Sequence, residues 1–390
     1  MRPPMDLEDT EDQRAFRDEV RTWLHSNVPR PPLPSPGTKE GFEAHRAWEQ
    51  AVSLAGYAAI GWPKEYGGRE ADVVLQAIFE EEYLLANGPE RISVVGQKLM
   101  GPTLMAHGTA DQRGRWLPGI LSGEVIWSQG FSEPDAGSDL AAVKTSAVRD
   151  GRHLVVNGQK IWTSYGAFAD WIFALVRTDR EAERHAGLTF LALDMQTEGI
   201  EARPIVQLDG YAGFAEVFFT DVRVPVDNVV GGIGNGWRVA MTTLAAEREA
   251  PARPAGRYLR ELEELARLTV ARGLQDDGGI LDRIGSLVVR AEAYRRHTQR
   301  GLTRLSRGEP MGAEASVAKL LWSELERGVF ETGREVLGGY GSATGGDGPP
   351  DDPEDWNSRY WFARAATIYA GTSEIQRNVV AERLLGLPKG

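Results

Sequence analysis

The sequence predicts an α+β protein in three consecutive parts: an N-terminal helical domain (1–122), a central β-barrel or sandwich domain (123–232) and a C-terminal helical bundle (233–390). Three observations carry this. Apolar residues recur with the helical period up to about Leu121, strand-rich runs take over after Gly123, and the helical period returns after Trp237. This order is not the strand–helix alternation of a doubly wound parallel sheet.

Each element has a local reason. Thr10 and Gln13 have capping-box spacing, and Phe16, Val20, Trp23 and Leu24 follow on one helical face. Pro29, Pro31, Pro32, Pro34 and Pro36 end that helix in a stiff linker. Helical patterns continue over Gly41–Leu54, Ala71–Ala86, Ser93–His107 and Asp111–Leu121. In the β block, Asn157-Gly158 between two apolar runs predicts a two-residue hairpin turn inside His153–Trp162. Strands are expected over Trp171–Val176, Leu188–Leu193, Glu201–Leu208 and Glu216–Val224. Beyond the glycine cluster Gly231–Gly236, helices are expected over Trp237–Arg272, Ile280–Arg307 and Gly312–Leu337. The low-complexity loop Ala343–Glu354 precedes a last helix ending near Leu385.

Composition narrows the function. The 390 residues contain no cysteine, which excludes a disulfide scaffold, a thiolate zinc site and a cysteine nucleophile. Fifty-six acidic against 44 basic residues leave a net charge of −12 and no dense basic run, so nucleic acid is not an expected partner. Six histidines without metal-ligand spacing speak against a metal site. No apolar run approaches the ~20 residues of a membrane span, and MRPPMDLEDT lacks the order of a secretory signal. The expectation is a soluble cytoplasmic protein with no membrane partner.

Four places could carry chemistry. In Ser132-Glu-Pro-Asp-Ala-Gly-Ser-Asp139, Gly137 permits close backbone approach, and Ser132 and Ser138 offer hydroxyls to a phosphate or ring carbonyl; a plain solvent turn reads equally well. Trp162-Thr163-Ser164 joins an aromatic to two hydroxyls, or is a core tryptophan at a strand end. Glu247 follows Leu244-Ala-Ala, so it is either a desolvated general base or a solvated acid beside Arg248 and Glu249. Glu374 reads as a helix N-terminal acid, with Thr372 or Ser373 as cap.

Taken together, the motifs resemble the acyl-CoA dehydrogenases. Phe131–Asp139 is similar to that family's flavin-site signature, and Asn157-Gly-x-Lys-x-Trp-Thr-Ser164 to its second signature. Phe219–Pro225 with Gly234–Trp237 resembles the run into its third domain, and Gly371-Thr-Ser-Glu-Ile-Gln-Arg377 its C-terminal motif. The resemblance implies a four-helix bundle at the C-terminus, bound FAD, and α,β-desaturation of an acyl thioester. In that reaction a carboxylate removes the α proton while hydride passes from the β carbon to flavin N5. It implies that Phe131 and Ser132 lie against the isoalloxazine and that Gly137 and Ser138 contact the pyrophosphate, Ser138 also the pantetheine. Trp162 would shield the ring, and Thr163 and Ser164 would bond its polar edge. Thr372 and Glu374 would contact the ribityl and adenosine parts, and Arg248 the CoA arm.

The chain departs from that pattern in telling places. Where most of the family has its catalytic Glu before the C-terminal Gly-Thr, this sequence has Ala370. A minority carry the base on the earlier helix in a Glu-Arg pair, which Glu247-Arg248 matches, so Glu247 is the expected base. Pro251 and Pro254 come soon after, and Ala245 replaces a frequent Asp. Residues Ala271–Asp277 do not reproduce the segment that reaches a neighbour's flavin, and Glu335 replaces a frequent Gln. That asymmetry resembles members working as mixed-subunit tetramers in bacterial steroid side-chain breakdown. The implied partners are an acyl-CoA or acyl-carrier-protein thioester, electron-transferring flavoprotein as acceptor, and a homotetramer or a heterotetramer with a paralogous subunit. Two other functions remain compatible at this level: a flavin monooxygenase or oxidase on the same fold, and a non-catalytic subunit of a heteromeric dehydrogenase.

Overall fold

The structure, a computed structural model, describes residues 9–249, 254–342 and 356–389, without the side chains of 247–249 and 342. The loop expected over Ala343–Glu354 therefore lies outside the described residues, as does Pro251. The chain forms two compact units, one from Met1–Val28, Asp72–Gly88 and Pro251–Gly390, the other from Pro29–Ala71 and Pro89–Ala250. Sequence order alone does not suggest this partition. Two N-terminal helices share a unit with the C-terminal ones.

In the helical unit, α1 (Glu11–Asn27) starts at Thr10, whose hydroxyl and the Gln13 side chain bond each other's backbone N–H groups. α3 (Val73–Leu85) is capped by the Asp72 carboxylate. The buried Glu82 of α3 takes both Arg17 and Arg21 of α1 at 2.8 and 2.9 Å, tying the two helices. α7 (Ala255–Ala271), α8 (Gly278–Leu305), α9 (Glu314–Leu337) and α10 (Trp356–Arg364) share one core around Tyr258, Leu265, Tyr294, Val329, Phe330 and Trp356. Gly333 of α9 is needed there: a Cβ would stand 2.4 Å from the Trp356 ring. α11 (Ser373–Val379) and a π-helical turn, Val380–Leu384, complete the unit.

The β-rich unit holds α2 (Lys39–Leu54), α4 (Gly101–His107), α5 (Ala110–Ser122) and α6 (Gly236–Glu249) around the sheet. The helix expected over Ser93–His107 is not uniform: Val95–Met100 is π-helical before α4 begins. Trp62 is the wedge. Its indole N–H bonds the Gln97 carbonyl at 3.0 Å, and its ring lies where a Cβ on Gly101 would be. The strands are β1 (Trp127–Gly130), β2 (Ser146–Asp150), β3 (His153–Ser164), β4 (Trp171–Arg177), β5 (Leu188–Asp194), β6 (Ile200–Ile205), β7 (Phe214–Pro225) and β8 (Val229–Val230). They form one sheet in the order β6-β7-β3-β2-β4-β5-β8, with β1 parallel to β4.

β4 is buried on both faces, which explains its unbroken apolar run. Phe173 and Leu175 point to the helices, joining Leu104, Trp116, Leu117 and Val239. Ile172, Ala174 and Val176 point the other way and share a core with Leu154, Val156, Val217 and Val222 of β3 and β7. The two halves of the sheet thus cover each other.

The expected Asn157-Gly158 hairpin is a misreading. β3 runs straight through these residues from His153 to Ser164, paired with β7 along its length. The hairpin turn lies earlier, at Gly151-Arg152 between Asp150 and His153. Asn157-Gly158 is instead a bulge. Asn157 uses its amide to bond Asp221 of β7 twice, at 2.9 and 3.0 Å. Gly158, at φ 149°, passes so close to Thr145 that a Cβ would meet its Cα at 2.6 Å. A turn-forming dipeptide here serves a close crossing.

The long helical segment expected over Trp237–Arg272, with Pro251 and Pro254 interrupting it, is described as α6 and α7, the latter opening just after Pro254. No helix of the described residues is long and apolar enough to cross a membrane.

Candidate functional site

The site residues are set by how the chain leaves β1. Phe131 is a core residue: its ring meets Phe173 and Phe190 edge-on at 5.6 and 6.1 Å. Only its backbone and the residues after it can face a ligand. The Ser132 carbonyl accepts the Ile161 N–H at 3.0 Å, which joins the first motif to the second. Glu133 and Ala136 then exchange backbone bonds of 2.9 and 3.1 Å, closing a tight turn with Pro134 and Asp135 at its tip. Gly137 and Ser138 emerge exposed, and a Cβ on Gly137 would meet nothing within 4 Å.

Below this surface lies a pair that sequence reasoning did not single out. Lys160 is fully buried and bonds Glu133 at 2.8 Å, the Phe131 carbonyl at 3.1 Å and the Leu175 carbonyl at 2.7 Å. Burial pulls its pKa down from 10.5 to about 8, against the pull of Glu133. Burial also opposes charge on Glu133. The Lys160 ammonium and the Lys144 and Thr145 N–H groups outweigh it and hold the carboxyl below the usual carboxylate range. The general signal is that a lysine within a strand is seldom fully buried unless it is paired.

At the end of β3 the pairing breaks again, between Lys160 and Thr163. Trp162 sits at φ +59° with 56% of its surface exposed, its indole edge-on to Phe214 at 6.2 Å. A bulky residue there costs about 1–3 kcal/mol of backbone strain. Thr163 is the reverse case: it is fully buried and its hydroxyl has no partner among the described residues. Ser164 is fixed through its carbonyl, which accepts the Ser128 hydroxyl at 2.6 Å.

A loop borders Ser138. Arg177 anchors it by bonding the carbonyls of Ala141 and Val143 at 2.7 and 3.1 Å, while Arg184 reaches Asp139 at 2.7 Å. The next residue, His185, lies against Trp237 of α6 with ring centroids 4.2 Å apart. α6 itself is seated through Gly236, where a Cβ would meet the Thr189 backbone at 2.5 Å. Thr243 shares a 2.8 Å hydrogen bond with Thr103, and Thr242 one of 2.8 Å with His107. Burial and the nearby Arg238 keep the His107 pKa below its usual value. The side chains of Glu247 and Arg248 lie outside the described residues.

In the helical unit, Thr372 caps α11 by accepting the Ile375 N–H at 3.3 Å. The preceding Ala370 and Gly371 are left-handed, at φ +54° and +84°, and Gln376 bonds the Ala370 carbonyl at 3.1 Å. Glu374 is exposed in the first turn. Its own N–H and the Thr372 hydroxyl hold its carboxyl below the usual range. The Ser373 hydroxyl is buried without a partner among the described residues. Within the β-rich unit, then, the structure joins the two predicted motifs through Ser132 and Ile161, while Thr372 and Glu374 form a separate cap in the helical unit.

Comparison with known proteins agrees with this architecture. Three family models match in order: acyl-CoA dehydrogenase N-terminal domain (10–124), middle domain (128–222) and C-terminal domain (234–385). The acyl-CoA dehydrogenase IpdE1 of Mycobacterium tuberculosis is 41% identical over 388 residues, covering 97% of this chain and 99% of that protein. Among solved structures, the Tcur3481-Tcur3483 steroid ACAD superposes with a TM-score of 0.87 at 30% identity, covering 99% of this chain and 100% of that one. The ChsE4-ChsE5 complex from Mycobacterium tuberculosis gives 0.80 at 31%, over 99% and 100%. With every domain matched in sequence and the whole fold matched in space, this chain belongs to the acyl-CoA dehydrogenase family.

Proposed function

We propose that the chain desaturates an acyl-CoA thioester between its α and β carbons, with Glu247 as the base. The family is FAD-dependent, and the residues present fit that cofactor. The single observation that carries the fit is the buried Thr163 hydroxyl, without a partner among the described residues, beside the exposed, strained Trp162. An orphaned buried hydroxyl is costly unless a ligand completes it, and an exposed indole offers a flat face to a flat ring. Bound FAD supplies the two-electron acceptor for the hydrogen leaving the β carbon.

The chain's residues do the rest. The Phe131–Ser132 backbone, Trp162, Thr163 and Ser164 hold the ring, and Gly137 and Ser138 leave room for the pyrophosphate, with Ser138 also meeting the pantetheine. For Thr372 and Glu374 of the helical unit, contacts to the ribityl and adenosine parts are what the resemblance to the family implies. Glu247 takes the α proton, and Arg248 meets the CoA arm. Ala370 has no group that could replace Glu247.

The similar structure named as a steroid ACAD supports a polycyclic, steroid-derived acyl group, and the two-component names Tcur3481-Tcur3483 and ChsE4-ChsE5 support assembly with a paralogous subunit. Electron-transferring flavoprotein is the proposed acceptor. The test is anaerobic titration of the yellow holoprotein, alone and with a co-expressed paralogue, with short, branched, long and steroid-side-chain acyl-CoAs. Flavin bleaching by the steroid thioester is expected; no bleaching with any of them overturns the proposal.

A further inference from the structure

We propose that Lys160 is a positioning residue, which aims the Phe131–Ser132 peptide and the Trp162-Thr163 turn at the flavin ring through its buried bonds. This rests on the reading of those residues as the flavin edge.

A lysine ammonium has three donors, and here all three are used. They go to three acceptors on two stretches of chain: the Phe131 carbonyl at 3.1 Å and the Glu133 carboxylate at 2.8 Å in the loop after β1, and the Leu175 carbonyl of β4 at 2.7 Å. The first bond has a geometric consequence. In a trans peptide, C=O and the following N–H point in opposite directions. Turning the Phe131 carbonyl inward to Lys160 therefore turns the Ser132 N–H outward. The Ser132 carbonyl is held in turn by the Ile161 N–H, the residue next to Lys160. Glu133 completes the frame by fixing the Lys144 and Thr145 N–H groups at 2.6 and 2.9 Å.

On the other side of Lys160 lies the second irregularity of β3, where Trp162 takes its left-handed conformation. Strain of that kind persists only where the surroundings over-determine it. A lysine anchored at three points just before the break does that. Stability alone does not require the pair, because apolar residues of similar volume commonly replace buried ion pairs without loss. What an apolar pair would not do is choose the direction of the Phe131 carbonyl.

The experiment uses a double variant, Lys160→Met with Glu133→Gln, which leaves no unpaired buried charge. Three quantities are read: far-UV circular dichroism of the apoprotein, its FAD dissociation constant by flavin fluorescence quenching, and the visible circular dichroism of bound FAD. The expected result is a folded apoprotein whose FAD dissociation constant rises about tenfold and whose bound-flavin spectrum changes shape. Wild-type affinity and spectrum overturn the proposal. So does an unfolded apoprotein, since the pair then serves the fold and not the edge. Thr163→Val separates the two layers: if it leaves FAD binding and spectrum unchanged, the flavin-edge reading falls and this proposal with it. If Thr163→Val perturbs both while the double variant perturbs neither, only the role of Lys160 is lost.

Discussion

The Ile161 N–H donates to the Ser132 carbonyl at 3.0 Å, so two motifs far apart in the chain meet through one backbone bond. Ser132 begins a tight turn and Ile161 precedes the exposed Trp162. Each motif alone reads as an ordinary loop or strand end. Joined, they make an edge with an exposed indole and a buried hydroxyl that has no partner among the described residues.

Trp162→Gly should separate strain from function. Glycine accepts φ +59° freely, so apoprotein stability should be unchanged or raised by up to about 1 kcal/mol. The visible circular dichroism of bound FAD should change, because the indole beside the ring is gone. A drop in apoprotein melting temperature together with an unaltered flavin spectrum contradicts both halves.

Glu247→Gln should retain FAD and fold but slow acyl-CoA-driven flavin bleaching by roughly 10²–10⁴-fold, the usual worth of a positioned general base. Anaerobic stopped-flow absorbance is the measurement. Bleaching at the wild-type rate moves the base elsewhere.

Two glycines of the β-rich unit should respond differently to alanine. Gly151 has a positive φ of +59° but open space, so Gly151→Ala should cost about 1 kcal/mol. At Gly158 a Cβ would lie 2.6 Å from the Thr145 backbone as well, so Gly158→Ala should cost about 2–4 kcal/mol. Urea denaturation of the two variants compares them. Equal costs would mean that Asn157-Gly158 is not the close crossing described.

The Lys160–Glu133 pair should leave a signature in stability against pH. The folded-state pKa of Lys160 lies near 8 against 10.5 unfolded, so the unfolded chain binds more protons between these values and stability rises with pH across that window. The Glu133 carboxyl is held below 4.5, so its contribution is complete above pH 4.5 and lost as pH falls through the folded value. Subtracting the curve of the Lys160→Met/Glu133→Gln variant from that of the wild type, by urea denaturation from well below pH 4.5 to above pH 10.5, isolates both. A flat difference curve would falsify the assignment.

Much of the architecture was legible because it is written locally. The Thr10 capping box, the apolar face of α1 and the unbroken apolar run of β4 follow from the 3.6-residue and strand periods and from burial on both faces. The Asn157-Gly158 misreading has the same source. A dipeptide that tolerates unusual φ suits a turn and a close crossing equally, and only the partner strand β7 and Thr145 decide between them. The π-helical stretch Val95–Met100 was hidden likewise, because its cause, Trp62, is remote in sequence.

By itself, then, the sequence determined the order helix–strand–helix, the motif wording that marks the family, and the absence of a carboxylate at Ala370. These are properties of residue type and spacing along one chain. Tertiary structure alone decided that α1 and α3 pack with the C-terminal helices, that Phe131 is core while its neighbour Ser132 carries the join, and that Lys160 is buried on Glu133. The reason is physical. Burial, hydrogen-bond completion and backbone strain depend on which distant segments arrive at the same place, and local pattern does not encode that meeting.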